Sequence, residues 1–224
     1  MTSLIFWGAF GGFIIPFLAR RFAKFMPATM AMAWIRIPLK PTRFKRKKAA
    51  YSRKRRQYLL RSLLYALIGA FLFAAAEQCF YSEGLSLILW FLWILMLAAE
   101  VDFRTYLLPD MLTWPLLVLG FLYAAVYGGW ISAPESAIGA GIGYFLPVIA
   151  SLPVILLKKQ EVFGGGDVKL LSALGAWFGV DKLLYLIILS TVLFFIYALI
   201  RRKKDGAFGP AIALSAIIIA FGCF

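Results

Sequence analysis

The sequence contains no histidine and only two cysteines among its 224 residues. Without histidine, neither a His-based catalytic centre nor a His-ligated metal site can form, and two cysteines are too few for a zinc site built from four thiolates. Charged residues are also scarce, at 15% of the chain compared with about 25% in soluble domains. These absences exclude several common classes of enzyme and argue against a soluble protein.

Hydrophobic residues, in contrast, make up 63% of the chain, compared with about 45–50% in soluble domains. A helix needs about 20 apolar residues to cross a bilayer, so the chain is long enough for roughly eight crossings with little left over. We therefore predict an all-α fold: a polytopic membrane helical bundle of about eight transmembrane helices. It forms a single membrane-embedded domain over residues 1–224.

The apolar segments are separated by short polar or charged connections, with one longer exception at about 20–58. That connection is polybasic, and it contains the clusters RFKRKK at 43–48 and RKRR at 53–56. The predicted segments are 3–19, 58–80, 85–101, 111–130, 137–157, 167–179, 183–200 and 208–224.

The distribution of positive charge predicts the orientation of the chain, because Lys and Arg stay on the cytoplasmic side of membrane proteins. If the polybasic loop is cytoplasmic, alternation places the N-terminus outside and leaves only Lys182 of the 24 Lys and Arg on the outer side. The formal charge of +14 is explained in this way, with attraction to anionic lipids. No base-reading module accompanies it, so we expect no nucleic-acid partner.

Two aspartates, Asp102 and Asp167, are predicted to meet at one membrane face. Asp102 follows the third segment and Asp167 opens the sixth, so both lie at the cytoplasmic boundary at similar depth. Ionisable side chains beside hydrocarbon are costly and mark functional sites. Two carboxyls that share one proton are the working parts of an aspartic protease. We therefore predict that Asp102 and Asp167 are catalytic.

Helix ends suggest roles for this pair. A helix N-terminus favours an anion and a C-terminus favours a neutral acid, so Asp167 is expected to start as the base and Asp102 as the acid. Because the two carboxyls titrate together, these roles can also be swapped or shared.

Three consecutive glycines, Gly164, Gly165 and Gly166, precede Asp167. Glycine permits close approach of another backbone, so the loop is a candidate for binding an extended substrate. The alternative is a flexible turn before a helix, with Asp167 as its N-cap.

Four neighbouring residues have both structural and functional interpretations. Pro109 ends a helix and Asp110 is well placed to cap the next one, so both are interpreted as structural. Arg104 is interpreted either as a positive charge that keeps this end of the segment on the cytoplasmic side or as a residue that contacts substrate. Lys169 extends to the interface, tunes the aspartates or contacts substrate.

Two other functions are consistent with a polytopic chain carrying acidic groups. Intramembrane carboxyls also serve proton relay, so a proton- or cation-coupled transporter is the alternative, and a non-catalytic assembly factor is a third. Transport sites lie near the bilayer midplane, whereas both aspartates are expected at its cytoplasmic edge, which favours the peptidase.

Several stretches of the chain together resemble the prepilin peptidases, or type IV leader peptidases, a GxGD class of intramembrane aspartic proteases. They are DFRTYLLPD at 102–110, GGGDVKL at 164–170 and FGPAIAL at 208–214. The stretch GAFGGF at 8–13, followed by two arginines at 20–21, is similar to a degenerate form of the family's first helix. The resemblance covers most of the chain. The combination and order of the motifs are specific, whereas GxGD alone is weak.

The resemblance implies an endopeptidase of the bacterial inner membrane whose active site faces the cytoplasm. Such an enzyme removes the short basic leader of type IV prepilins or of the pseudopilins of type II secretion, after a glycine. The family's catalytic aspartates correspond to Asp102 and Asp167. Many members also N-methylate the new N-terminus with S-adenosylmethionine, while proteolysis itself needs no cofactor.

One departure from the family is plain. Many members bind zinc through two CxxC pairs in the first cytoplasmic loop, and here that loop is polybasic and has no cysteine. We therefore expect no metal, and retention of the methyltransferase activity is left open.

Overall fold

The computed structural model describes residues 2–25, 48–80, 84–158, 164–202 and 206–222, and these residues form seven helices and no strand. The all-α prediction is confirmed. We number the helices in chain order, with bounds α1 Thr2–Phe25, α2 Lys48–Cys79, α3 Leu85–Thr105, α4 Asp110–Val126, α5 Ala133–Lys158, α6 Gly165–Arg201 and α7 Gly209–Gly222.

Five of these helices, α1, α2, α3, α5 and α6, are long and apolar enough to cross a membrane. The other two, α4 and α7, are shorter apolar helices. Prolines occur inside α1, α4 and α5. Membrane helices tolerate proline when neighbouring groups hydrogen-bond to the backbone carbonyls that it leaves unpaired. This pattern confirms the polytopic helical bundle, and the outside placement of the N-terminus stays a prediction.

The first two helices extend beyond the apolar segments that sequence predicted. α1 continues past residue 19 to Phe25, and α2 begins at Lys48, ten residues before the predicted start at 58. Lys and Arg are good helix formers, so hydropathy marks where the apolar part ends and not where the helix ends. Part of the predicted 20–58 loop is therefore helical, and residues 26–47 lie outside the described part of the chain.

The predicted sixth and seventh segments form one helix, α6, which breaks at Gly179. Gly179 has φ 70° and ψ −175°, a conformation that only glycine adopts without strain. Residues 170–179 before the break are all buried, whereas many of those after it are exposed. The first part of α6 is thus an enclosed short helix that starts beside Asp167, and the predicted end of the sixth segment at 179 coincides with the break.

The chain divides into two compact units, residues 1–81 and 82–224. In the first unit, α1 packs against α2 through glycines. A Cβ at Gly8 would meet the carbonyl oxygen of Gly69, and one at Gly12 would meet that of Tyr65. Small residues of this kind let helix backbones approach closely in membranes. The prediction of a single domain over 1–224 stays a prediction.

In the second unit, α5 and α6 cross at equally close range. A Cβ at Gly139 would meet the carbonyl oxygen of Gly175, and a Cβ at Gly175 would meet the carbonyl oxygen of Gly139. Two serine hydroxyls bridge the same helices: Ser136 donates to the carbonyl of Ala176 at 2.7 Å, and Ser172 donates to the carbonyl of Ala140 at 2.9 Å. The crossing fixes the buried part of α6, which carries Asp167 at its start.

An aromatic cluster fills the core of the second unit. Trp177 on α6 is fully buried, and its indole Nε1 donates to the carbonyl of Leu116 on α4 at 2.8 Å. The rings of Phe91 on α3 and Tyr123 on α4 lie 4.4 Å and 5.2 Å from that of Trp177. The cluster connects α3, α4 and α6, while α7 packs against both α3 and α6.

Candidate active site

Asp102 lies in the last turn of α3 and is buried, with 4% of its surface exposed. A buried carboxyl needs hydrogen-bond partners, because its desolvation is costly otherwise. Its Oδ2 atom accepts a hydrogen bond from the backbone N–H of Gly209, the first residue of α7, at 2.8 Å. The side chain of Asp102 is therefore held by an element 107 positions away in sequence.

α3 ends three residues later in a tight turn. Tyr106 adopts the left-handed conformation, with φ 56°, and its N–H donates to the carbonyl of Asp102 at 2.8 Å. The hydroxyl of Thr105 donates to the carbonyl of Val101 at 2.8 Å and accepts from the N–H of Leu107 at 3.2 Å. A left-handed residue after the last turn is a common helix terminator, although it is usually glycine. This turn brings the following residues back toward α6.

Asp167 lies in the first turn of α6, and it is partly buried. Gly164 occupies the N-cap position and its carbonyl accepts the N–H of Asp167 at 3.0 Å. Asp167 is thus the third helical residue, so the interpretation of Asp167 as the N-cap is wrong. Asp167 directly follows Gly166, which packs against Leu108 in the turn after α3, so Asp167 and Asp102 lie at the same end of the second unit.

The glycine loop packs against the turn after α3. A Cβ at Gly166 would lie 2.7 Å from the Cβ of Leu108, which is buried. Gly164 and Gly165 are exposed, and nothing lies within 4 Å of where a Cβ of Gly165 would be. The three predicted loop glycines therefore differ: Gly166 is a close-packing residue, and the other two leave backbone accessible. Their role in substrate binding stays a prediction.

Arg104 is paired within α3. Its Nε donates to Oε1 of Glu100 at 2.6 Å, one helical turn earlier, and Glu100 is buried. A buried carboxylate with a guanidinium partner is a stable arrangement, whereas either group alone is not. The structure gives Arg104 this intramolecular partner, and substrate contact by Arg104 stays a prediction.

Lys169 and Asp110 form an ion pair at the same end of the unit, with Nζ 2.6 Å from Oδ1. Pro109 occupies the N-cap position of α4 and Asp110 is the first helical residue. The prediction that Asp110 caps α4 is therefore corrected: its carboxylate binds Lys169 on α6. A carboxylate in the first turn still interacts favourably with the helix dipole.

Gly209 is the site residue that sequence reasoning missed. The FGPAIAL stretch carries part of the family resemblance, but its residues alone indicate no role for the glycine. A glycine directly before a proline at the start of an apolar segment marks the beginning of a helix, and this signal was present. Nothing in the local sequence indicates that the helix starts against Asp102.

Among the described residues, no group of three or more His, Cys, Asp or Glu side chains lies close enough to hold a metal ion. Two carboxyls in one site, one of them buried, can act as an acid–base pair. Such a pair can activate a water molecule and protonate a carbonyl oxygen, and general acid–base catalysis of this kind accelerates a step by about 10²–10⁴-fold.

Residues 89–199 match the type IV leader peptidase family, and this stretch contains both aspartates. The relatives that match include proteins named prepilin leader peptidase/N-methyltransferase from three organisms. The protein from Vibrio cholerae is 32% identical over 126 residues, 54% of this chain and 49% of its own length. The protein from Escherichia coli is 38% identical over 139 residues, 59% and 61% of the two chains. The protein from Dichelobacter nodosus is 37% identical over 164 residues, 71% and 55% of the two chains.

This chain therefore spans about half the length of the curated relatives that it matches. No solved structure matches it. None of these matches supports the transporter alternative.

Proposed function

We propose that this protein is an intramembrane aspartic endopeptidase that removes the short basic leader of type IV prepilins or pseudopilins after a glycine, because residues 89–199 match the type IV leader peptidase family. The observation that carries this proposal is the placement of Asp102, at the end of α3, and Asp167, at the start of α6, at one end of the second unit. The relatives' shared name, prepilin leader peptidase/N-methyltransferase, supports the choice of substrate.

In the proposed reaction, one carboxylate of the pair removes a proton from water while the protonated partner donates its proton to the scissile carbonyl oxygen. The resulting diol intermediate collapses when a proton passes to the leaving amine, and the C–N bond breaks. Either aspartate can serve in either role, because the pair titrates as a unit. Asp102, held by Gly209, is the fixed member.

The proposed site faces the cytoplasm of a bacterial inner membrane. Support comes from the charge distribution, in which Lys182 alone of the 24 Lys and Arg is predicted on the opposite side.

Near the start of the chain, the guanidinium of Arg20 on α1 stacks 3.9 Å over the ring of Tyr58 on α2. Both helices carry further basic residues there, which we propose attract anionic lipid headgroups.

Methylation of the new N-terminus with S-adenosylmethionine is the second activity in the relatives' name. The loop that binds zinc in many members of the family has no cysteine here. We assign no residue of this chain to methyl transfer, and the peptidase pair does not depend on it.

One assay tests cleavage and methylation together. The purified protein is incubated in detergent or vesicles with a full-length prepilin and S-adenosylmethionine, and the product masses are measured. The proposal predicts a new N-terminus directly after the leader glycine. The Asp102→Asn, Asp167→Asn double variant, prepared identically, should yield none.

The mass of the mature product also shows whether one methyl group has been added. Absence of the cleaved product with a folded wild-type protein, or equal cleavage by the double variant, would overturn the peptidase assignment. An unmethylated product would limit the activity to proteolysis.

A further inference from the structure

The first residue of α7, Gly209, lies directly against the carboxyl of Asp102. Its N–H donates to Asp102 Oδ2 at 2.8 Å, and both residues are buried. A Cβ at Gly209 would lie 2.7 Å from that same Oδ2 atom and 3.0 Å from Cβ and Cγ of Asp102. The space that a side chain would occupy is filled by the aspartate.

A positive φ is not what requires glycine at this position. Among the described residues, the glycines with positive φ are Gly128 and Gly179. Gly209 is the first residue of α7 and precedes Pro210, whose ring disfavours the helical conformation in a preceding residue that carries a Cβ. Two features therefore favour glycine at 209: Pro210 follows it, and the carboxyl of Asp102 fills the space that a side chain would need.

The N–H group of Gly209 belongs to α7, which is well packed. α7 contacts both α3 and α6, the helices that carry the two aspartates, and its residues Ile212, Ala213 and Ala216 are buried. Just before the helix, the ring of Phe208 packs edge-on against that of Phe194 on α6, with centroids 5.4 Å apart. Groups placed on rigid elements keep their geometry better than groups on loops.

We propose that Gly209 is a positioning residue for Asp102. Its N–H holds Oδ2, its missing side chain leaves room for the carboxyl, and the other oxygen, Oδ1, is left for water or substrate. This inference rests on the proposed peptidase function for its consequence in catalysis. The contact itself is independent of that function, so the two can be tested separately.

The kinetic test compares Gly209→Ala with Gly222→Ala at the far end of the same helix, where nothing lies within 4 Å of a new Cβ. Displacing a reacting group by about 1 Å can reduce the rate about 10²-fold. We expect Gly209→Ala to lower kcat for prepilin cleavage about 10²-fold with KM within about twofold of wild type, because Asp102 moves and the binding surface does not. Gly222→Ala should match wild type.

The pH dependence of kcat separates positioning from a general structural defect. A positioning residue that donates to one member of the pair changes the pH profile, so Gly209→Ala should shift it while Gly222→Ala leaves it in place. A loss of kcat below tenfold in Gly209→Ala, or a lower kcat with an unchanged pH profile, would overturn the proposal.

A stability cycle tests the contact without any activity. Asp102→Ala removes Cγ and both carboxyl oxygens, so Gly209→Ala should lower the unfolding temperature less in the Asp102→Ala background than in wild type. Equal effects in both backgrounds would show that Asp102 is not the group that excludes a side chain at 209. Failure of the wild-type protein to cleave prepilin would reject the proposed function and leave this cycle as the test of the contact.

Discussion

Lys169 and Asp110 lie 59 positions apart in sequence and form a hydrogen-bonded ion pair, with Nζ 2.6 Å from Oδ1. Lys169 follows Asp167 by two residues in the first turns of α6, and Asp110 begins α4. The side chains are 40% and 38% exposed, so the pair stabilises the fold by no more than about 1 kcal/mol. The pair matters for the geometry of the site, since it joins α6, which carries Asp167, to the start of α4, directly after the turn that follows Asp102.

Reversing either charge of this pair is expected to reduce prepilin cleavage. Lys169→Asp or Asp110→Lys places two like charges side by side, which separates the starts of α4 and α6, and we expect kcat/KM to fall about tenfold. The double variant restores opposite charges and should recover to within about threefold of wild type. The measurement is the initial rate of cleavage by each purified variant, and a double variant no better than the singles would contradict the pairing.

The glycine loop offers a matched pair of substitutions. A methyl group at Gly166 would lie 2.7 Å from the Cβ of Leu108, whereas one at Gly165 meets nothing within 4 Å. Overpacking of this kind destabilises proteins by about 1–3 kcal/mol, and substitutions in open space change stability by about 0.5 kcal/mol or less. Thermal unfolding in detergent should therefore show a lower midpoint for Gly166→Ala than for Gly165→Ala. Equal midpoints would mean that the loop does not pack on Leu108.

The α5–α6 crossing provides a second matched pair, on one helix. In Gly139→Ala the new methyl group would meet the carbonyl of Gly175, and in Gly141→Ala it would meet nothing within 4 Å. We expect Gly139→Ala to destabilise the protein by about 1–3 kcal/mol. Gly141→Ala should be neutral or slightly stabilising, because alanine favours helix by up to about 1 kcal/mol over glycine. Thermal unfolding of the two variants side by side checks this, and a reversed order would contradict the crossing.

Hydropathy was sufficient to predict most of the helical segments, and the cytoplasmic side of the two aspartates stays a prediction. The apolar lengths of α3, α4 and α5 define those helices within a few residues, because water-to-membrane transfer dominates their placement. Hydropathy did not predict where α1 ends and α2 begins, because both helices continue into basic sequence that forms helix readily. Segment placement is therefore predictable and helix ends are not.

The contacts that complete the site depend on packing between residues distant in sequence. Gly209 and Asp102 are 107 positions apart, and no local pattern links them. Asp110 was expected to cap its own helix, since its position after Pro109 favours that role, yet its carboxylate binds Lys169. Local rules predict which groups a residue can bind nearby, and tertiary packing decides which of the available partners it uses.

We propose that Asp102 and Asp167 together hydrolyse a peptide bond, and kcat for prepilin cleavage by Asp102→Asn and Asp167→Asn measures their contribution. Asparagine keeps the size of the side chain and removes proton exchange. Asp181→Asn is the matched control, since Asp181 lies on the same helix as Asp167, beyond the break at Gly179, and is exposed.

Each site variant should lose at least about 10²-fold in kcat, as expected when a general acid or base is removed, and Asp181→Asn should keep wild-type activity. All three should unfold within a few degrees of wild type. If folded Asp102→Asn or Asp167→Asn keeps more than about a tenth of wild-type kcat, the two aspartates are not the catalytic pair.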